Sequence, residues 1–155
     1  MDELRWVHAA IRRELAACVA LAGEVRAGAA ADVVRDGVRV LRSDGLLWQL
    51  RMKCLHQCAF VHMHHGVEDA MLFPRVRAIE PSLGPTIDRL EAVHVVVSGL
   101  LDRVEAAARE LGGPDDPGAR SDLAGALDDL SAHLLTHLDV EEAALEPVLS
   151  RLECI

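Results

Sequence analysis

Tyrosine is absent from this chain, and two tryptophans and two phenylalanines bring aromatic residues to only 3% of its 155 residues. Strands rely on aromatic and β-branched side chains to fill a pleated surface, so a core without aromatics must come mostly from Leu, Val and Ala, which favours helices. The missing phenols also remove the usual residue for storing an oxidising radical. No apolar run approaches the roughly 18 residues needed to cross a bilayer, and a charged helical pattern begins at Asp2 without a signal-peptide profile. A soluble, cytoplasmic protein is expected. Positive charge is scarce too: 16 Lys plus Arg against 25 Asp plus Glu leave a net charge of −9, which argues against nucleic acid or a membrane surface as partner. Cys18, Cys54, Cys58 and Cys154 follow no zinc-ribbon spacing. Buried reduced thiols are expected in place of a disulfide framework, with Cys154 the accessible one.

What is present is helical periodicity. At this length the chain is read as one domain, residues 1–155, with one sizeable core. Leu4, His8, Ile11, Leu15, Cys18, Ala22 and Val25 alternate at spacings of four and three, predicting a first helix over about 2–27 that Gly28 to Ala31 ends. Asp32 to Arg42 reads as a short helix or ordered connector. Ser43 is a candidate cap for a second helix with the stripe Leu47, Leu50, Cys54, Gln57, Val61, His64, Glu68 and Met71 or Leu72, ending or kinking near Pro74 with a last turn to Ile79. Ser82 is a candidate cap for a third helix to Leu111 on Ile87, Leu90, His94, Val97, Leu101, Val104 and Ala108. Gly112 to Gly118 reads as a loop, and Ser121 or Asp122 as the start of a fourth helix facing inward through Leu123, Leu127, Leu130, Leu134, His137, Glu141, Ala144 and Val148. Four such helices in succession predict an all-α, antiparallel up-down-up-down four-helix bundle. Val95, Val96 and Val97 in a row suggest a second covered face on helix three, as in a homodimer.

Two of the stripes carry the same chemistry. His64, Glu68, Asp69, Ala70 and Pro74 recur in register as His137, Glu141, Glu142, Ala143 and Pro147. Residues four apart share a helix face, so each copy aims an imidazole and a carboxylate at one point. In alternating helices the starts of the odd ones and the ends of the even ones meet, which brings His8, His64, Glu68, His94, His137 and Glu141 to one depth facing inward. Buried carboxylates without partners cost several kcal/mol each, so two of them backed by His imply a cation pair between them. Nitrogen and oxygen donors without thiolate suit iron or manganese, with zinc also able to bind. Asp69 and Glu142 lie about 100° round the helix from Glu68 and Glu141 and read as solvated, or as support to a ligand. His133 and His62 are weaker candidates for such support, His56 is unrelated, and Trp6 either lines the pocket or packs.

This order of residues, with His64, His65, Glu68, Asp69, Leu72, Phe73 and Pro74 in one segment, resembles the bacterial hemerythrin-like (HHE, cation-binding) domain family along essentially the whole chain. The resemblance implies a hemerythrin-like bundle holding two iron ions and reacting with O2, peroxide or NO. His8, His64, His94 and His137 would be terminal ligands, and Glu68 and Glu141 bridges. Oxygen-carrying hemerythrins place a further His one turn after the helix-three His, where this chain has Ser98. That departure leaves an open position, or one filled by His65, whose other reading is a supporting or solvent-facing side chain. An open position favours redox chemistry on O2, peroxide or a small organic substrate, with a non-catalytic O2, NO or iron binding, storage or sensing protein as the alternative. A metal-free structural bundle is the third reading.

Overall fold

The computed structural model describes residues 1–31, 37–111 and 116–152. They form α1 (Asp2–Ala31), α2 (Gly37–Val67), a π turn (Glu68–Leu72), α3 (Phe73–Ile79), a 3-10 turn (Pro81–Leu83), α4 (Gly84–Glu110) and α5 (Pro117–Leu152). α2, the π turn and α3 follow one another directly, so four rods make an antiparallel four-helix bundle. α1 packs between α2 and α5, and α4 closes the ring against the same two helices. No helix of the described residues is long and apolar enough to cross a membrane.

The stripes bury as expected. Ile11, Leu15, Cys18, Ala22 and Val25 of α1 and Ile87, Leu90, His94, Val97, Leu101, Val104 and Ala108 of α4 are all interior. The core is split in two. One part runs from Ile11 through Leu50, Leu101 and Leu130 to Leu138; the other holds Phe73, Val76, Ile87, Leu90, Leu145 and Val148. The layer of His and Glu residues lies between them, sealed above and below by apolar side chains. Cys18, Cys54 and Cys58 are free thiols buried in the larger part. Cys154, the first segment of the expected connector at 32–36 and most of the expected loop at 112–115 lie outside the described residues.

Several helix ends differ from the expected ones. α1 continues through Gly28 to Ala31, and Ser43 lies inside α2, which begins at Gly37. The start of α5 is Pro117, not Ser121 or Asp122, because Asp116 already supplies the cap: its Oδ1 accepts the Gly118 N–H at 2.8 Å. Pro at the first helical position needs no N–H there and arrives with a helical φ. Ser82 does not cap α4; its hydroxyl donates to Glu80, and Pro85 marks the start of that helix.

The two Pro-containing motifs part company structurally. In α5 the residue four after Glu141, Leu145, is buried and takes the slot expected for half-buried Ala144; the helix passes through Pro147 without a break in register. After Glu68 the next buried residue is Phe73, five along, while Met71 is exposed and Leu72 half-buried. A π turn inserts one extra residue per turn, which is how the register slips by one. Pro74, which cannot donate to the carbonyl four residues back, is the second residue after this wide turn.

Leu130, fully buried on α5, and Val95, 74% exposed on α4, separate core from surface. Leu130→Ala should lower unfolding free energy in urea by about 2–5 kcal/mol, whereas Val95→Ala should stay within about 0.5 kcal/mol. Equal midpoints for the two would contradict the core described above.

Candidate metal centre

Each stripe brings its polar member to the layer between the two apolar cores. α1 contributes His8, α2 contributes His64 and His65, the π turn Glu68, α4 His94, and α5 His137 and Glu141; all are buried. The Nε2 atoms of His8 and His64 are 3.0 Å apart, and those of His94 and His137 are 2.9 Å apart. Two donors each about 2.1 Å from one metal at a right angle would stand about 3 Å from each other, so both pairs have the spacing of neighbouring ligands.

The carboxylates tie the pairs together. Glu68 Oε1 lies 3.0 Å from His64 Nε2 and 3.7 Å from His8 Nε2, while its Oε2 lies 3.6 Å from His94 Nε2. Glu141 Oε2 is 3.3 Å from His137 Nε2 and 3.8 Å from His8 Nε2. Each glutamate therefore reaches both imidazole pairs. Among the described residues three sets of donors have the mutual spacing to hold an ion: His8, His64 and Glu68; His65, His94 and His137; and Glu68, His94 and Glu141.

The polar atoms left over point the same way. Both oxygens of Glu68 and of Glu141, Nε2 of His65 and Nδ1 of His137 are buried without a hydrogen-bond partner. Orphaned carboxylate oxygens at this depth are costly unless a cation accepts them. Burial and the adjacent Glu141 push Glu68 up to about 10. Burial also acts to raise Glu141, but His137 and His8 outweigh it and hold that group below the usual range. Burial lowers His8 and His94, takes His64 down to about 4, and lowers His65 further still. Neutral imidazoles around acceptor oxygens are the donor set that divalent metals require, and the residues fit two such ions.

Outer partners orient the rings. Glu142 Oε1 accepts from His8 Nδ1 at 2.9 Å and from Arg12 at 2.7 Å, and Arg12 also donates to Asp139 at 2.7 Å. Asp69 Oδ1 accepts from His94 Nδ1 at 2.7 Å. With Nδ1 carrying the proton, Nε2 of both rings presents its lone pair to the layer. Asp69 and Glu142 thus each hold a ring of the layer in place and are not merely solvated. Stacking fixes a second coordinate: His65 lies flat on His94, with centroids 3.9 Å apart and planes within 9°, and Phe73 covers His94 at 5.3 Å.

Of the two alternatives expected from Ser98, the structure favours the second: His65 packs against His94 and His137 and adds a fifth imidazole to the layer. Other expectations fail. His133 is exposed and bonded to the Asp129 carbonyl, so it supports no ligand. His62 faces Asp102 and Glu105 on the α2–α4 flank, and Trp6 is exposed on the outside of α1, where it neither lines the site nor packs into the core. Gln57 sits below the layer and donates to the Ile11 carbonyl of α1 at 3.0 Å. The parts missed by sequence reasoning were the Phe73 cover and the role of Arg12. The repeated second acid, Asp69 and Glu142, was the signal for the outer partners.

Because Glu68 holds its proton at neutral pH in the metal-free protein, metal uptake must displace it. Titrating metal into metal-free protein near pH 7 should release protons, read as a heat that changes with buffer ionisation enthalpy. A buffer-independent heat would refute this. The lowered imidazoles contribute stability that is complete above the ordinary histidine range and is lost as pH falls through it. Glu68 acts oppositely, its support fading as pH rises toward 10, but below neutrality four histidines outweigh one carboxyl. Metal-free protein should therefore melt at a lower temperature at about pH 5 than at about pH 7.

No curated protein and no solved structure is similar enough to this chain to match. Residues 1–149 match the family described as Hemerythrin HHE cation binding domain. Nearly the whole length is matched, including every residue of the layer, and the chain belongs to the hemerythrin HHE cation-binding domain family.

Proposed function

We propose that this protein holds two iron ions and reacts through them with O2, peroxide or NO, as a redox enzyme. The supporting observation is the pair of donor sets joined by Glu68 and Glu141. In this reading His8 and His64 hold one ion, His65, His94 and His137 the other, and the two glutamates serve both. Bound iron would supply one-electron chemistry and an acceptor for a small oxidant. The two halves are unequal: two imidazoles serve one ion and three the other. Fewer imidazoles would then be offered to the ion on the side of His8 and His64.

The protein's own part is electrostatic and geometric. Glu142 and Asp69 keep the Nε2 lone pairs of His8 and His94 directed at the ions. Apolar layers above and below exclude bulk water, which strengthens every charge interaction between them. Glu68, reaching both halves, can accommodate a change in ionic charge without leaving the interior. Zinc and manganese fit the same donors less specifically.

The test begins with metal content of protein grown in iron. Two irons per chain, near-ultraviolet bands and consumption of peroxide are expected. Zinc or no metal would remove the reading, and a fully reversible O2 adduct without turnover would favour the carrier or storage alternative. Asp69→Asn and Glu142→Gln should each weaken metal binding about 10–100-fold through loss of ring orientation. Glu68→Gln should remove at least one of the two ions, because a neutral amide cannot serve both.

A further inference from the structure

Two hollows adjoin the polar layer. The one between α4 and α5, about 420 Å³, is walled by Leu90, Val93 and Val140 and meets the layer only at His137. That imidazole is fully buried, so the hollow stops short of the donors. The other, about 300 Å³, lies between α1 and the π turn. Leu4, Val7, Val67 and Leu72 form its walls, and His64 and Glu68 line it. His64 is the most exposed group of the layer, at 9%, and Glu68 carries two unpartnered oxygens. Glu3 and the N-terminal residue Met1 also line it. The π turn shapes this wall, since its register slip leaves Leu72 lining the hollow and Met71 outside.

We propose that this second hollow is a binding site for a small, uncharged, largely apolar molecule bearing one hydroxyl, such as a phenol. The walls are aliphatic and match an apolar body. A space of about 300 Å³ corresponds to roughly ten waters at about 30 Å³ each, ample for one small ring. A hydroxyl both donates and accepts, so it satisfies the floor whether that presents a Glu68 oxygen or the open side of a cation at His64. In the metal-free protein a carboxylate on the same body would have to leave water for walls that are mostly aliphatic, which disfavours it. Only the hydroxyl's orientation rests on reading His64 and Glu68 as metal ligands; the apolar site does not.

Phenol and benzoate titrated into metal-free and zinc-loaded protein, followed by methyl NMR, test this. Phenol should shift the Leu4, Val7, Val67 and Leu72 methyls saturably, with benzoate at least about tenfold weaker in the metal-free protein, where no cation can receive its carboxylate. Val67→Trp, at a half-exposed position, and Leu4→Trp should fill the hollow and abolish these shifts while leaving helicity and metal content unchanged. Equal binding of benzoate to the metal-free protein, shifts centred elsewhere, or full phenol binding by a folded Val67→Trp protein would overturn the proposal. Saturable phenol binding in a protein that takes up no metal would sustain the site and sink the di-iron reading. Absent phenol binding in a protein with two metals would do the reverse.

Discussion

Two carboxylates buried side by side are the constraint on which the rest of this bundle turns. Glu68 and Glu141 sit in an interior that would rather hold leucine, each with both oxygens unpartnered. Their mutual repulsion and the loss of solvent force one to keep its proton unless positive charge lies between them. Every neighbouring feature is consistent with accommodating that charge: five imidazoles, four of them held neutral by burial, apolar layers on either side, and no Lys or Arg among the buried polar groups of the described residues.

Around this layer the arrangement is nearly, but not fully, symmetric. α1 pairs with α5 through His8 and Glu142, and α4 pairs with the π turn through His94 and Asp69. Each acid that follows a bridging candidate reaches across to the ring on a neighbouring helix, so one dipeptide supplies both an inward carboxylate and an outer partner. Arg12 reinforces only the α1–α5 side. His65 enriches only the α4–α5 side. The result is one crowded and one sparser half, and the aliphatic hollow opens on the sparser one.

The π turn is the structural cause of much of that asymmetry. It sits at the residue whose carboxylate spans the two halves, carries Phe73 over His94, and leaves Leu72 beside the hollow. In α5 the same His, Glu and Pro spacing continues as regular helix. Pro alone therefore does not dictate the turn, and nor does burial in the second apolar core, which holds Phe73 and Val76 on one rod and Leu145, Val148 and Leu149 on the other.

Much of this was legible in the residues. Periodic apolar positions mark the inward face of each helix because 3.6 residues per turn leaves little choice, and alternating direction puts His8, His64, Glu68, His94, His137 and Glu141 at one level. The repeated His-to-Glu spacing names the carboxylates that must share a site. What the chain alone left open were positions one step round the helix from a stripe: His65, Asp69 and Glu142 stand about 100° from their neighbours and could face a partner helix or water equally well. Phe73 depended on a register slip that regular periodicity cannot express. Tertiary structure decided these cases, because only the packing of α4 and α5 against α1 and the π turn determines which boundary positions find an imidazole to orient and which, like His133, find solvent.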